Sequence, residues 1–167
     1  GEGLLAYRIG KFKSAKDYLQ PWIQGIVAAC AGHSMPVCVV DEENLGSPVI
    51  MKEQAPGEAV ELLGHLVDGF LQGQGRPLCY APATSDAYAK ACEPCDGKPN
   101  ENALKKAADK WIEEPFNSSP GEGFSTAAKL AWRDQDPFAF HEEWHHWACA
   151  IAKPLHVWFT PKKPKKS

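Results

Sequence analysis

A short apolar run stands near the start of the chain, and apolar residues then recur with helical spacing. The short apolar run at 4–9 predicts a β-strand. Ser14 is followed three residues later by Asp17, a spacing typical of a helix start with a capping box. Apolar residues then recur every three or four positions as far as Cys30, and Gly32 supplies a stop. The pattern therefore predicts a strand followed by an amphipathic helix.

Pro21 lies inside that helical pattern. Proline has no N–H to donate in a helix interior, so the helix is predicted either to kink there or to begin near Gln20. Beyond it, the β-branched run at 36–40 and the apolar residues at 49–51 flank an acidic turn, which predicts a β-hairpin. Residues 57–73 give the clearest amphipathic helix of the chain.

That helix has one predicted core-facing stripe, formed by Val60, Leu63, Val67, Phe70 and Leu71. A short apolar run at 77–80 predicts one more strand. The rest of the chain has helical spacing in four segments, at 84–91, 102–114, 125–132 and 138–152. Polar segments rich in Pro, Gly, Ser and Asn predict loops at 94–100 and 117–123. The order of elements predicts one mixed α/β domain over 1–160, with a small mixed sheet flanked by helices.

Composition fits a single folded domain, because 44% of the 167 residues are hydrophobic and 23% are charged. No apolar run reaches the roughly 18 residues of a membrane span, and no signal peptide pattern is present. These features, with six cysteines and no export signal, predict a reducing, cytoplasmic location. The chain opens Gly1-Glu2-Gly3 without methionine, which indicates a segment of a longer protein.

The charge distribution argues against autonomous DNA binding. The net charge is −3, but four lysines lie in a basic tail at 161–167 that is predicted to be disordered. Without them, 14 basic residues remain against 21 acidic ones. A domain that holds DNA alone would carry a basic face, so protein partners are favoured.

Several short segments, taken in order, resemble the C-terminal region of the gamma (RecC-type) chain of exodeoxyribonuclease V. The first is Leu5-Ala6-Tyr7-Arg8-Ile9-Gly10-Lys11-Phe12-Lys13 with the tryptophan-containing helix that follows it. The later segments are Gly69-Phe70, Gly75-Arg76-Pro77-Leu78, the helix from Lys105 to Trp111, Trp132-Arg133 and Lys153-Pro154-Leu155. Each segment is weak by itself, and their shared order carries the resemblance.

The resemblance implies a restriction-endonuclease-like fold of the PD-(D/E)xK type. Such nucleases place a metal-binding acid and a lysine, one residue apart, on a central strand. In the related active subunits that strand is apolar-Asp-Tyr-Lys, whereas here Ala6 stands in the place of the acid and Arg8 in the place of the lysine. A methyl group cannot bind Mg²⁺ and a guanidinium cannot be deprotonated, so the catalytic residues are expected to be lost.

The resemblance also implies a non-catalytic role inside an enzyme complex. The expected partners are the beta and alpha subunits of exodeoxyribonuclease V and DNA, with no membrane and no cofactor or metal of the domain's own. The implied role is structural support and DNA guidance in double-strand-break repair and recombination, including unwinding, strand guidance and Chi recognition. Arg8, Lys11 and Lys13 form the basic cluster that could contact the DNA backbone.

Two enzymatic alternatives stay open. The first is an active Mg²⁺-dependent nuclease whose acid is supplied from elsewhere, for example by Asp17 or Asp41. The second is a zinc hydrolase, because His141-Glu142-x-x-His145 matches the zinc-protease pattern of two histidines on one helical face.

The zinc hydrolase lacks an evident third ligand. No Asp or Glu follows Glu143, and Ala148 and Ile151 occupy the places where an extended motif has glycine and histidine. His156 is available, but Pro154 is expected to redirect the chain before it.

The Cys92-x-x-Cys95 pair is predicted to be two loop thiols or an adventitious metal-binding pair. A zinc site needs two further ligands, and the sequence has no second pair of that kind.

Overall fold

The structure is a computed structural model. It describes residues 3–45, 49–92, 95, 98–112, 120–133 and 135–159. The chain divides into two compact units, Gly1–Gly64 with Pro154–Ser167, and His65–Lys153. The predicted basic tail at 161–167 lies outside the described residues, and the single domain over 1–160 stays a prediction.

The first unit contains a three-stranded mixed sheet. Its strands are β1 (Leu4–Tyr7), β2 (Val37–Val40) and β3 (Val49–Met51), in the order β1-β2-β3. β1 runs parallel to β2, with Ala6 opposite Val39, and β3 returns antiparallel to β2. The predicted first strand and the predicted hairpin are both confirmed, and the fold is a small mixed α/β arrangement.

Helix α1 (Ala15–Cys30) connects the two parallel strands. Its predicted start is confirmed, because the Asp17 carboxylate accepts hydrogen bonds from the N–H and the hydroxyl of Ser14, at 3.0 and 3.1 Å. Pro21 is a buried residue inside the helix, so the predicted later start near Gln20 is wrong. The burial of its ring helps to offset the one backbone hydrogen bond that proline cannot donate.

The core of this unit forms where α1 and the chain end pack on the sheet. Trp22 and Ile26 of α1 are almost fully buried. A Cβ on Gly25 would lie 3.2 Å from Val37 Cγ2, so the helix approaches β2 closely. Aromatic residues pack against the buried side chains of β2 and β3, namely Phe12, Tyr18, Trp158 and Phe159.

Helix α2 (Pro56–Gly73) forms as predicted, but its predicted core face is wrong. Most of the predicted stripe is exposed, with Val60, Val67, Phe70 and Leu71 between 49% and 66% accessible. The buried positions are Ala59, Leu62 and Gly69. Small side chains let a helix approach its neighbours closely: a Cβ on Gly69 would lie 3.2 Å from Trp147 Cζ3. The buried face of the helix is therefore formed by Ala59, Leu62 and Gly69 rather than by the predicted stripe.

The predicted strand at 77–80 is wrong. Within the described chain these residues belong to no sheet, and the Tyr80 N–H instead bonds the Leu78 carbonyl at 2.7 Å. A bond between residues two apart makes a tight turn, which is incompatible with an extended strand. The apolar side chain of Cys79 is nevertheless buried, so the hydrophobic run marks the core correctly.

The second unit is helical, as predicted. Its elements are α3 (Pro82–Ala91), α4 (Glu101–Trp111), α5 (Thr126–Ala131) and α6 (His141–Trp147). The Glu122 carboxylate caps α3, accepting from the N–H groups of Ala83 and Thr84 at 3.1 and 2.7 Å.

The helix that begins at α6 continues through a π-helical turn (Ala148–Ala152) into α7 (Lys153–Phe159). The expectation that Pro154 redirects the chain is therefore wrong. The wider π turn precedes the proline, and such turns accommodate an interrupted hydrogen-bond ladder. None of the helices in the described part of the chain has the length and hydropathy to cross a membrane.

Candidate functional site

β1 carries Ala6, and Arg8 directly follows the strand. The resemblance to the nucleases implied a central strand for these two positions, but β1 is an edge strand of the described sheet. Leu5 and Tyr7 are 64% and 77% exposed, whereas Ala6 between them is half-buried. Ala6 therefore sits on the inward face, where a metal ligand would have to project.

A groove of about 440 Å³ lies beside this strand. Its walls come from β1, the turn after it and the first half of α1, all within the first unit. One carboxylate lines the groove, that of Asp17, with the cations of Arg8 and Lys16. A two-metal or one-metal phosphodiesterase site needs several oxygen ligands, so this lining does not resemble one.

The Asp17 carboxylate is fully occupied by local partners. It accepts from the N–H groups of Lys13 and Ser14, and it forms an ion pair with Arg8. Burial raises the pKa of Asp17, but the hydrogen bonds from Lys13, Arg8 and Ser14 outweigh burial and lower the pKa below its ordinary value. Asp17 thus acts as a structural anchor of the turn that follows β1.

Asp41, the other candidate acid, is also held by backbone groups. Its carboxylate accepts from the N–H of Phe12 at 2.9 Å, from Glu43 at 2.9 Å and from Asn44 at 3.2 Å. The Phe12 hydrogen bond is the main reason that the pKa of Asp41 is lowered. The hydrogen bond from Phe12 to this carboxylate connects the turn after β1 to the end of β2.

Neither acid belongs to a group of potential metal ligands. Across the described ranges, the one set of three or more His, Cys, Asp or Glu side chains close enough to hold an ion is Cys92, Cys95 and Cys149. The structure therefore places Ala6, Asp17 and Asp41 in the same unit without bringing acidic ligands together.

The basic cluster is mostly neutralised. Arg8 pairs with Asp17 and lies 5.6 Å from the centre of the Phe12 ring. Lys11 pairs with Glu43, and that contact raises the pKa of Lys11. Lys13 is exposed, and no ion pair to it occurs among the residues that the structure describes. Lys13 is therefore the member most available to a phosphate.

The histidines of the zinc-protease pattern have different environments. His141 and Glu142 are exposed, whereas His145 is buried and its Nδ1 lies 3.2 Å from the Tyr88 hydroxyl. No third ligand joins His141 and His145 in the described portion of the chain. His145 faces cysteines instead, a proximity that its spacing to Cys149, four residues on, could have indicated.

A family model described as the RecC C-terminal domain matches residues 1–93, which is more than half of the chain. The chain belongs to this family. The predicted resemblance to the gamma chain of exodeoxyribonuclease V is thereby confirmed. No curated protein matches the chain.

Membership of the family connects the chain to DNA repair through the gamma subunit of exodeoxyribonuclease V. The match contains β1, α1, the sheet and the groove beside Ala6. It ends at residue 93, so His145 and Cys149 lie beyond it.

Replacing Asp17 with asparagine should make the first unit less stable and less sensitive to acid. A lowered pKa means that the carboxylate stabilises the fold above its unfolded pKa, and that this stability is lost as pH falls through the folded pKa. We expect a loss of about 1–2 kcal/mol at pH 7. Urea unfolding between pH 7 and pH 3 measures the free energy of unfolding and its dependence on pH. Glu42→Gln, at an exposed position, is the control. An identical pH profile in Asp17→Asn and the unsubstituted chain would contradict the assignment.

Proposed function

We propose that this domain is a restriction-endonuclease-like fold that has lost its catalytic metal site. It serves the cytoplasmic exodeoxyribonuclease V complex as a non-catalytic structural and DNA-guiding part. The observation that carries the proposal is the groove beside β1, where a methyl group stands in the place of the metal-binding acid.

The chemistry of the groove supports the loss of cleavage. Hydrolysis of a phosphodiester by this class of nuclease needs a divalent cation held by carboxylates, and a base or positioned lysine for the attacking water. Ala6 offers no oxygen, and Arg8 stays protonated. The one carboxylate in the groove, Asp17, already accepts hydrogen bonds from Arg8 and the backbone. If the Asp17 carboxylate were to bind a metal ion instead, those hydrogen bonds would be lost.

The ion pair between Arg8 and Asp17 suggests a structural role for the arginine. Arg8 replaces the charge that a metal would have supplied beside Asp17, so the groove keeps its shape without an ion. A former catalytic strand then becomes a structural one. In the complex this unit supports the beta and alpha subunits, and the catalytic steps of unwinding and cleavage belong to those partners.

DNA guidance involves the turn between β1 and α1. The hydrogen bonds of Asp17 and Asp41 hold this turn, and Gly10 takes a left-handed conformation at φ +97° that favours glycine. Lys13 therefore projects from a well-fixed backbone. Lys11 can exchange its exposed ion pair with Glu43 for a phosphate at low cost, since solvent screens surface pairs of this kind. Guidance of a DNA strand through its phosphates is the role that this surface fits, whereas Chi recognition would belong to the gamma subunit as a whole.

The salt dependence of DNA-end binding by the reconstituted complex tests this role. Each phosphate contact contributes roughly 0.9 to the slope of log K against log salt. We expect Lys13→Gln to reduce the slope by about one and to weaken binding alike on different sequences. Exposed Lys105→Gln in α4 is the matched control and should leave the slope unchanged. If the triple variant of Arg8, Lys11 and Lys13 binds like the unsubstituted complex, the DNA-guiding part of the proposal fails.

A further inference from the structure

Three thiols and one imidazole converge in the second unit. Cys92 follows the last turn of α3, and Cys95 lies three residues beyond it. His145 and Cys149 lie one helical turn apart, on α6 and in the π-helical turn that follows it. We call these four residues the thiol–histidine cluster. Its members come from two segments that are far apart in sequence, so the fold has brought them together.

The distances approach those of a metal site. The three sulfur atoms lie within 4.8 Å of one another. His145 Nε2 lies 3.8 Å from the sulfur of Cys149, and His145 Nδ1 lies 3.8 Å from the sulfurs of Cys92 and Cys149. A tetrahedral Zn²⁺ with Zn–S near 2.3 Å and Zn–N near 2.0 Å requires separations of about 3.8 Å between sulfurs and about 3.6 Å between sulfur and nitrogen. The three thiols already form a set close enough to hold an ion, whereas His145 lies outside that set and its side chain would have to rotate to become the fourth ligand.

The spacing of the ligands also fits zinc. Cys-x-x-Cys supplies one pair of ligands in most structural zinc sites, and the second pair comes from elsewhere in the fold. The sequence offers no second Cys-x-x-Cys, and for that reason it predicted only loop thiols or an adventitious pair. The second pair is mixed, His145-x-x-x-Cys149, which places both ligands on one face of a helix.

Neighbouring residues orient the cluster from behind. The Tyr88 hydroxyl accepts a hydrogen bond from the Asn100 N–H at 3.1 Å and lies 3.2 Å from His145 Nδ1. Tyr88 is fully buried, Cys92 is 2% exposed and His145 is 9% exposed. With Nε2 as the ligand atom, the contact of Nδ1 with the Tyr88 hydroxyl would fix the ring, as hydrogen-bonding partners of metal-binding histidines do, and burial keeps solvent from the ligands.

The thiols are not suited to redox chemistry as they stand. Burial raises the pKa of Cys92 and of Cys95 to about 11, and it raises the pKa of Cys149 as well. Reactive Cys-x-x-Cys pairs have the opposite property, a lowered pKa that provides thiolate at neutral pH.

We propose that Cys92, Cys95, Cys149 and His145 bind one Zn²⁺ in a closed, four-ligand structural site. On binding, the three thiols give up their protons to solvent, and the ion with three thiolates and one neutral imidazole carries a net charge of −1. A site with four protein ligands leaves no position for substrate water, so its role is to hold the fold together rather than to catalyse hydrolysis.

The surrounding core explains why a metal is useful here. The buried side chains packed around the cluster are mostly small, with Ala103 and Ala107 of α4 and Ala148 of the π-helical turn. Alanines bury little apolar area, so the packing around the cluster itself contributes correspondingly little to stability. An ion at the cluster would connect the end of α3 to the α6 helix and supply that stability.

Metal analysis of the purified full chain tests the proposal. We expect one zinc per chain, retained through dialysis against a weak chelator. Cys149→Ser should lose the zinc, whereas Cys30→Ser, which removes a thiol of α1 outside the cluster, should keep it. Tyr88→Phe should weaken zinc affinity by about tenfold, the usual effect of removing a partner behind a ligand. Zinc that survives in Cys149→Ser would overturn the proposal.

Two further measurements keep the test decisive if Cys149→Ser fails to fold. Cobalt added to the metal-free chain should give the intense visible bands of a tetrahedral thiolate site, and His145→Cys should retain binding with bands shifted by the fourth thiolate. Chain purified with no zinc and giving no such cobalt spectrum would contradict the proposal. Iron with acid-labile sulfide in place of zinc, or a Cys92–Cys95 disulfide in protein purified without oxidant, would overturn it as well.

Discussion

Trp22→Ala should destabilise the first unit by about 3–5 kcal/mol, the range found when a large buried aromatic is truncated to alanine. Trp22 is 1% exposed in α1, between the helix and the sheet. The close approach of Gly25 to Val37 leaves the helix little freedom to move into the space that the indole vacates. Since a domain has only about 5–15 kcal/mol of total stability, this single change should leave the unit partly unfolded at 37 °C.

Urea unfolding with hydrogen exchange measured over residues 15–40 localises the effect. Val27→Ala on the same helix is the matched control, because Val27 is 49% exposed and should change stability by about 0.5 kcal/mol or less. Trp22→Phe should cost less than the alanine change. Within the described chain no acceptor reaches the buried indole Nε1, so phenylalanine removes an unpaired N–H along with part of the ring. Equal losses in Trp22→Ala and Val27→Ala would refute the predicted packing.

Gly123→Ala should destabilise the second unit by about 2–3 kcal/mol, at the upper end of the usual cost of overpacking. A Cβ at this position would lie 2.7 Å from Trp111 Cδ1 and Cε2, closer than real carbon atoms approach. Trp111 cannot turn away freely, because its ring makes edge-to-face contacts with Phe138 and Trp144 at 6.1 and 6.3 Å. The same shift would disturb Glu122, whose carboxylate caps α3.

Gly64→Ala in α2 is the control for Gly123→Ala. A Cβ at Gly64 meets nothing within 4 Å, so alanine there should stabilise the chain by about 0.5–1 kcal/mol through its better helix propensity. Thermal unfolding of both variants provides the comparison, and the two changes should shift the midpoint in opposite directions. A Gly123→Ala chain as stable as the unsubstituted one would mean that Trp111 is not held by its aromatic neighbours.

Local sequence signals predicted the elements more successfully than their burial. The Ser14 and Asp17 start of α1 and the hairpin of β2 and β3 depend on neighbouring residues, and both are confirmed. The buried face of α2 depends on what packs against it, and the helix buries Ala59, Leu62 and Gly69 in place of the predicted stripe. The apolar run before α3 failed as a strand for a similar reason, because no partner strand is present beside it in the described chain.

The candidate sites show the same difference between what residue identity predicts and what only tertiary packing decides. The identities of Ala6 and Arg8 are visible in sequence, and they carry the expectation of lost catalysis. The pairing of Arg8 with Asp17 is not visible, because it depends on the path of the turn between them. The thiol–histidine cluster was missed for a physical reason as well: its two halves are more than 50 residues apart, and only tertiary packing joins them.

Cleavage of linear duplex DNA by the purified chain, with Mg²⁺ or Mn²⁺ present, tests the central claim most directly. The account predicts no product, because no described set of carboxylates near Ala6 can hold the ion. Metal-dependent cleavage that disappears in Asp17→Asn or Asp41→Asn would show that an acid from outside β1 has taken over the catalytic position, and would contradict the account.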